Sequence, residues 1–220
     1  MTIYVQIGAG AGDRDPRANF RDGFTEFVKK KKIKDKIILV EANPLNIPKL
    51  KKCWKNYSNT KIFNIAIVPD NIKKKKITLF YSKDDKPHFQ VTSISKKHVE
   101  QFYPTSSIKE VEIKTSKISS FLKEIANNDN IEYLALDVEG VDFEILFSLN
   151  LKNINIKNIS IETLHINKLK KKQLARHLLK NGFVYKGKGF DINGYDTLFS
   201  KSNNFFSQIK TRIKYKLLYW

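Results

Sequence analysis

An apolar run flows directly into a glycine-rich turn within the first dozen residues, and few folds accommodate that order. Ile3-Tyr4-Val5-Gln6-Ile7 reads as a buried strand, and Gly8-Ala9-Gly10-Ala11-Gly12 follows without a break. Glycines tolerate the backbone angles of a sharp reversal and let the main chain approach a ligand closely. A strand that ends this way and leads into a helix opens a βαβ unit. The helix is predicted from about Pro16 or Arg17 to Lys31, with Phe20, Phe24, Phe27 and Val28 on its buried face.

The alternation of apolar and amphipathic runs continues down the chain. Residues 36–41 predict a second strand, and Asn43-Pro44 opens a helix whose apolar face includes Leu45, Leu50 and Trp54. Residues 61–68 predict one further strand, broken by Pro69-Asp70-Asn71, and residues 77–81 an accessory strand. The stretch 82–108, with Pro87, His88 and Pro104, predicts a loop or lid. A half-exposed strand over 109–115, a helix from 119 and a buried strand over 131–136 come next. That strand ends at Asp137-Val138-Glu139-Gly140. A short helix, a strand over 156–162 and a helix closed by Gly182 follow. Residues 183–185 and 197–200 predict an antiparallel pair. The pattern predicts a single Rossmann-like α/β domain over residues 1–201, doubly wound around a mostly parallel sheet with a C-terminal antiparallel strand pair. A basic amphipathic tail occupies 202–220.

The totals narrow the class. A length of 220 residues suits one well-cored domain. No apolar run approaches the roughly 18 residues that a membrane span needs. The N-terminus enters a strand at once and lacks the pattern of a secretory leader, so a cytoplasmic setting is expected. A single cysteine excludes an intramolecular disulfide or a cysteine metal cluster, and Cys53 beside Trp54 reads as a packed thiol. A formal charge of +19 can draw a protein to nucleic acid or anionic lipid. The lysine runs at 29–32, 73–76 and 170–172 fall at helix ends or loop tips, where charge runs read as solvated surface.

In a doubly wound sheet, ligands bind outside the carboxyl ends of the strands where the order reverses. Gly8, Gly10 and Gly12 belong there, and the helix after them offers free N–H groups to an anionic group. Glu41, at the tip of the second strand, is a candidate to hold a ribose diol, since one carboxylate can accept from both hydroxyls. Asn64 and Ala66, near the end of the third strand, are candidates for the adenine side. The dinucleotide fingerprint calls for glycine where Asp13 stands. With the antiparallel pair, that favours S-adenosylmethionine (SAM) over NAD.

The chain resembles the FkbM family of SAM-dependent methyltransferases. The likeness lies in Tyr4-Val5-Gln6-Ile7-Gly8-Ala9-Gly10-Ala11-Gly12, Leu39-Val40-Glu41-Ala42-Asn43-Pro44, Asn64-Ile65-Ala66-Ile67 and Leu136-Asp137-Val138-Glu139-Gly140-Val141-Asp142-Phe143-Glu144-Ile145-Leu146. The resemblance implies a class I methyltransferase fold and O-methylation of a sugar, glycan or secondary-metabolite hydroxyl. It also implies that Gly8, Gly10, Glu41 and Asp137 contact the cofactor. Gln6 stands where many class I enzymes carry an acidic residue, and it is counted with the cofactor candidates.

SAM carries its own leaving group, so the protein mainly has to align an acceptor oxygen with the methyl and take up its proton. Asp137 and Glu139, two apart at a strand tip, share a side and are the first catalytic candidates. Asp137 can instead cap the following helix. His165, just past the strand ending at Glu162, is a third candidate base. His88 and His98 belong to the expected lid, and His177 reads as helix surface. No ligand spacing among Asp137, Glu139 and Glu162 compels a metal. The stretch 86–103, with Phe89, Ser93, Ser95, Phe102 and Tyr103, suits either acceptor contact or loop packing.

As a helix, residues 205–220 group Phe206, Ile209, Ile213, Leu217 and Trp220 on one stripe. Lys210 and Lys214 flank one side, Arg212 and Lys216 the other, while Tyr215, Leu218 and Tyr219 lie off it. The pattern fits an interfacial helix at an anionic membrane or docking on the parent domain. Two rival functions remain open from the sequence: an RNA or DNA methyltransferase, suggested by the charge, and a nonenzymatic Rossmann-like binding domain.

Overall fold

A computed structural model describes residues 2–12, 22–82, 92–138, 140–164, 166–190 and 194–217. In chain order the strands are β1 (Thr2–Ile7), β2 (Lys36–Val40), β3 (Thr60–Phe63), β4 (Ala66–Val68), β5 (Lys76–Ser82), β6 (Thr92–Ser93) and β7 (Ile108–Lys117). They continue with β8 (Asn130–Leu136), β9 (Ile156–Glu162), β10 (Phe183–Lys188) and β11 (Asp196–Lys201). The helices are α1 (Gly23–Lys31), α2 (Ile47–Trp54), α3 (Lys96–Glu100), α4 (Ile118–Ala126), α5 (Asp142–Ser148), α6 (Lys168–Lys180) and α7 (Phe205–Tyr215).

The main sheet runs in the order β10-β11-β9-β8-β1-β2-β3. β3, β2, β1, β8 and β9 are mutually parallel, and β11 runs antiparallel between β9 and β10. Alternation along each strand divides the core into two layers. Ile3, Val5, Ile7, Ile38 and Val40 face a layer built with Phe121, Leu122, Ile145, Leu146 and Leu178 of α4, α5 and α6. Ile37 and Leu39 face the other layer, with Phe24 and Val28 of α1 and Leu50 and Trp54 of α2. Both faces are covered, as the doubly wound expectation requires. The order reverses at β1, between β2 and β8, and the site belongs at that switch point.

Three expectations need correction. The single strand predicted over 61–68 is two strands in two sheets. β3 pairs with β2, whereas β4 pairs with β7 in a smaller sheet of order β4-β7-β5-β6. The Asn64 side-chain amide fixes the break by donating to the Glu41 and Ala42 carbonyls at 2.8 and 3.1 Å. Within the expected loop or lid, residues 92–108 carry β6, α3 and a 3-10 turn, Thr105–Ser107. Val99 and Tyr103 are buried there against Phe80, Phe102 and Ile108, so packing organises this part. Finally, His177 is half-buried in α6 and rests against the Phe147 ring, with centroids 5.0 Å apart. Burial pushes its pKa down, opposed by a hydrogen bond to the Leu149 backbone.

Candidate functional site

The bend after β1 connects two strand tips through backbone atoms. The N–H groups of Gly8 and Ala9 both donate to the Val40 carbonyl at the end of β2, at 2.9 and 3.0 Å. On the other side, Asp137 N–H donates to the Ile7 carbonyl at 3.0 Å. Gly8 has φ +86°, and a Cβ there would lie 1.6 Å from the Asp137 carbonyl oxygen. Glycine at position 8 is therefore demanded by the neighbouring strand tip. Gly12, at φ +81°, is likewise backed closely by Cys53 and Leu50. Gly10 differs: its φ is +53°, and a Cβ would meet none of the described residues within 4 Å. Among the described residues the bend is packed at its two ends and open in its middle.

Glu41 closes the bend from the β2 side. One carboxylate oxygen accepts from Gly10 N–H at 2.7 Å, the other from Asn43 N–H at 2.6 Å. The residue is only 7% exposed. A carboxylate offers about four acceptor positions, so holding two amides is compatible with also accepting from a diol. Asn43 is buried as well and ties the tip to the smaller sheet through its side-chain amide and Thr92 Oγ1, at 2.8 Å. Of the two residues expected on the adenine side, Asn64 is exposed at the break between β3 and β4. Ala66 is buried against Leu79 and Ile113 in the smaller sheet's core.

Gln6 lies on β1 beneath the start of α1 and is 4% exposed. Its side-chain amide donates to Asp22 Oδ1 at 2.8 Å, while Asp22 Oδ2 caps α1 by accepting from Thr25 N–H at 2.7 Å. The carboxylate can only accept, which fixes the orientation of the amide and leaves Gln6 Oε1 buried. Among the described residues that oxygen has no hydrogen-bond partner. A buried acceptor left this way costs about 1–3 kcal/mol, so a cation or N–H donor is the complement it calls for. The predicted helix start at Pro16 or Arg17, together with Asp13 and Phe20, lies outside the described residues; α1 is seen from Gly23.

At the β8 tip, Asp137 is exposed. The capping role that aspartate can play is not its own. Val141 occupies the N-cap of α5 without a side-chain hydrogen bond. Asp142 instead reaches back, its two oxygens accepting from Val138 N–H at 2.9 Å and Gly140 N–H at 3.2 Å. Asp142 is the residue that sequence reasoning missed at this tip. Its acidic side chain in a first helical turn looks, in sequence, like an ordinary helix-dipole partner. The candidates Glu139, His165 and His88 lie outside the described residues. His98 sits in α3, its ring 5.3 Å from that of Phe102.

The structure thus brings Gly8, Gly10, Gly12, Glu41, Gln6 and Asp137 to one end of the sheet around one bend. Among the described residues no helix is long and apolar enough to cross a membrane. None of the clusters of His, Cys, Asp or Glu among them has the makeup to hold a metal.

Residues 6–185 match the model of the methyltransferase FkbM domain family. Among solved structures, the chain is similar to the methyltransferase FkbM of Methylobacillus flagellatus KT, at 12% identity and a TM-score of 0.52. The match covers 91% of this chain and 44% of that one, so this chain spans less than half of that protein's length. It is also similar to the fibrillarin of Aeropyrum pernix, solved with natively bound SAM. Identity there is 11% over 90% of this chain and 64% of that one, with a TM-score of 0.43. No curated protein matches the sequence. A family match over most of the chain means that this chain belongs to the methyltransferase FkbM domain family.

Proposed function

We propose that this enzyme methylates a hydroxyl oxygen of a small acceptor, a sugar, glycan or secondary metabolite. The observation that carries the reading is the exposed Asp137 carboxylate on the strand tip whose backbone touches Gly8 of the bend. It sets a proton acceptor beside the cofactor end of the sheet. Glu41 accepts from the ribose hydroxyls while Gly10 and Asn43 hold it in place. Gln6 Oε1, buried and without a partner among the described residues, accepts from the ammonium. The open space at Gly10 admits the amino-acid portion against the backbone, and Asn64 borders the adenine side. SAM when bound supplies a methyl on a sulfonium leaving group. Asp137 then has to orient an acceptor hydroxyl and take its proton as the oxygen–carbon bond forms, a contribution of about 10²- to 10⁴-fold.

Calorimetric titration with SAM and a transfer assay with methyl-labelled SAM test the reading together. Glu41→Gln is expected to weaken SAM binding by about 10- to 100-fold, as for loss of a charged hydrogen-bonding partner. Asp137→Asn is expected to keep SAM affinity within about threefold and to lower transfer to a panel of sugars and nucleotide sugars by about a hundredfold or more. Unchanged transfer in Asp137→Asn removes Asp137 as the base. The formal charge of +19 favours a second reading, a nucleic-acid acceptor. Labelling of RNA in preference to every hydroxyl panel member, with RNA retention that survives physiological salt, replaces the first reading with the second.

A further inference from the structure

The C-terminal helix docks by a face other than its apolar stripe. α7 lies against β10 and α6. Thr211 is fully buried, its hydroxyl accepting from Tyr185 N–H of the edge strand at 2.9 Å and donating to the Ser207 carbonyl at 2.8 Å. The Tyr215 ring stacks near Phe199 and meets Tyr185 edge-on, centroids 6.0 and 6.1 Å apart. With 3.6 residues per turn, Phe206, Ile209 and Ile213 fall within about 60° of one another, on the side opposite Thr211 and Tyr215. Phe206 is 78% exposed and Ile213 71%, with Ile209 between them half-buried, and Phe205, next to the stripe, is 64% exposed.

We infer that this outward face of α7 is a docking surface for an anionic lipid bilayer, with the helix remaining seated on the domain. Two features select that occupant. Lys210 borders one side of the stripe and Arg212 and Lys216 the other, Lys214 turns towards the Tyr185 ring of the domain, and no carboxylate occurs between residues 202 and 217. An apolar strip between two cationic borders matches acyl chains beneath anionic headgroups. A second copy fits poorly, because pairing this face with itself sets lysines opposite lysines with nothing to offset them. Nucleic acid uses the cations but gives Ile209 and Ile213 no apolar surface to enter.

Flotation of the full chain with phosphatidylcholine vesicles, with and without phosphatidylglycerol, tests the inference. Co-flotation is expected with the anionic vesicles alone. Phe206→Ser with Ile213→Ser is expected to weaken partitioning by about tenfold or more, with an unchanged melting temperature because both side chains point away from the domain. Lys210→Gln with Lys216→Gln is expected to weaken it by about tenfold. The remote loop pair Lys73→Gln with Lys74→Gln is expected to change it by less than about threefold, being outside the contact. Several results overturn the inference: no co-flotation, wild-type binding by the Phe206/Ile213 variant, or an equal loss in the loop pair. So does a concentration-dependent dimer that the Phe206/Ile213 variant abolishes.

Discussion

The glycine bend and the C-terminal helix sit on the same sheet, but different parts of the chain hold them. At the bend the contacts are main chain: Gly8 and Ala9 on the Val40 carbonyl, Asp137 N–H on Ile7, and the Gly8 Cα against the Asp137 carbonyl. Its two side-chain brackets, Glu41 and Asp142, also grip backbone amides. At α7 the contacts come from side chains: the Thr211 hydroxyl, the Tyr215 ring and Lys214 Nζ 5.4 Å over the Tyr185 ring. Backbone geometry tolerates almost no substitution, whereas a side-chain interface degrades by degrees. A site that must grip a cofactor benefits from the first construction, and an appended helix that covers a sheet edge is adequately served by the second.

The sharpest way to break this contrast is to add one carbon to the bend. Gly8→Ala combines a positive φ with a Cβ that would sit 1.6 Å from a backbone oxygen unable to move without shifting β8. A loss of about 3 kcal/mol or more is expected in urea denaturation, the range reserved for steric failure in a core, with loss of SAM binding. Gly10→Ala meets none of the described residues and pays only for its left-handed backbone, about 1–2 kcal/mol. If the two variants melt alike, the bend is not packed as described.

A middle-sized effect is expected at the tail. Thr211→Val keeps the shape and removes the hydroxyl, leaving Tyr185 N–H without its partner. A cost of about 1–3 kcal/mol follows. Faster amide exchange in α7 with unaltered SAM affinity is the expected readout. A drop in SAM affinity would mean that tail and bend are energetically one unit.

The same contrast explains what could be read from the sequence. The bend was legible because its requirements are local: glycines where φ is positive, an acidic residue one step past an apolar strand. The family match and the sheet order bear out the fold class. The break at Asn64 was not legible, since a single polar residue inside the apolar stretch 62–68 reads as an ordinary strand position and the cause is its side chain reaching the β2 tip. The Gln6–Asp22 pairing and the Asp142 bracket were hidden for the same reason, being meetings of residues whose types suit other roles. At the tail, helical periodicity rightly grouped Phe206, Ile209 and Ile213, but α7 ends at Tyr215 with Lys216 in a left-handed cap, so Leu217 does not continue the stripe and Trp220 lies outside the described residues; the docked face uses Thr211 and Tyr215, one polar and one aromatic, both off the stripe. Periodicity marks which residues share a face; it does not say which face a neighbour will take.

The smallest expected effect refines that last point. Burial raises the Tyr215 pKa to about 12, with a hydrogen bond from Thr197 opposing the rise. In the unfolded chain a tyrosine titrates near about 10. The folded state therefore keeps its proton where the unfolded state has lost it. The contribution of Tyr215 is complete below about pH 10 and is lost as the pH climbs from there towards the folded value. Tyr4 and Tyr133 are also raised, chiefly by burial, so the wild-type curve alone does not isolate the tail. Comparing wild type with Tyr215→Phe does: the melting temperatures should converge as the pH rises above about 10, because only the wild type has a buried phenol to ionise at that position. Parallel curves would mean that Tyr215 is solvated, and that α7 rests on the sheet through Thr211 and Lys214 without it.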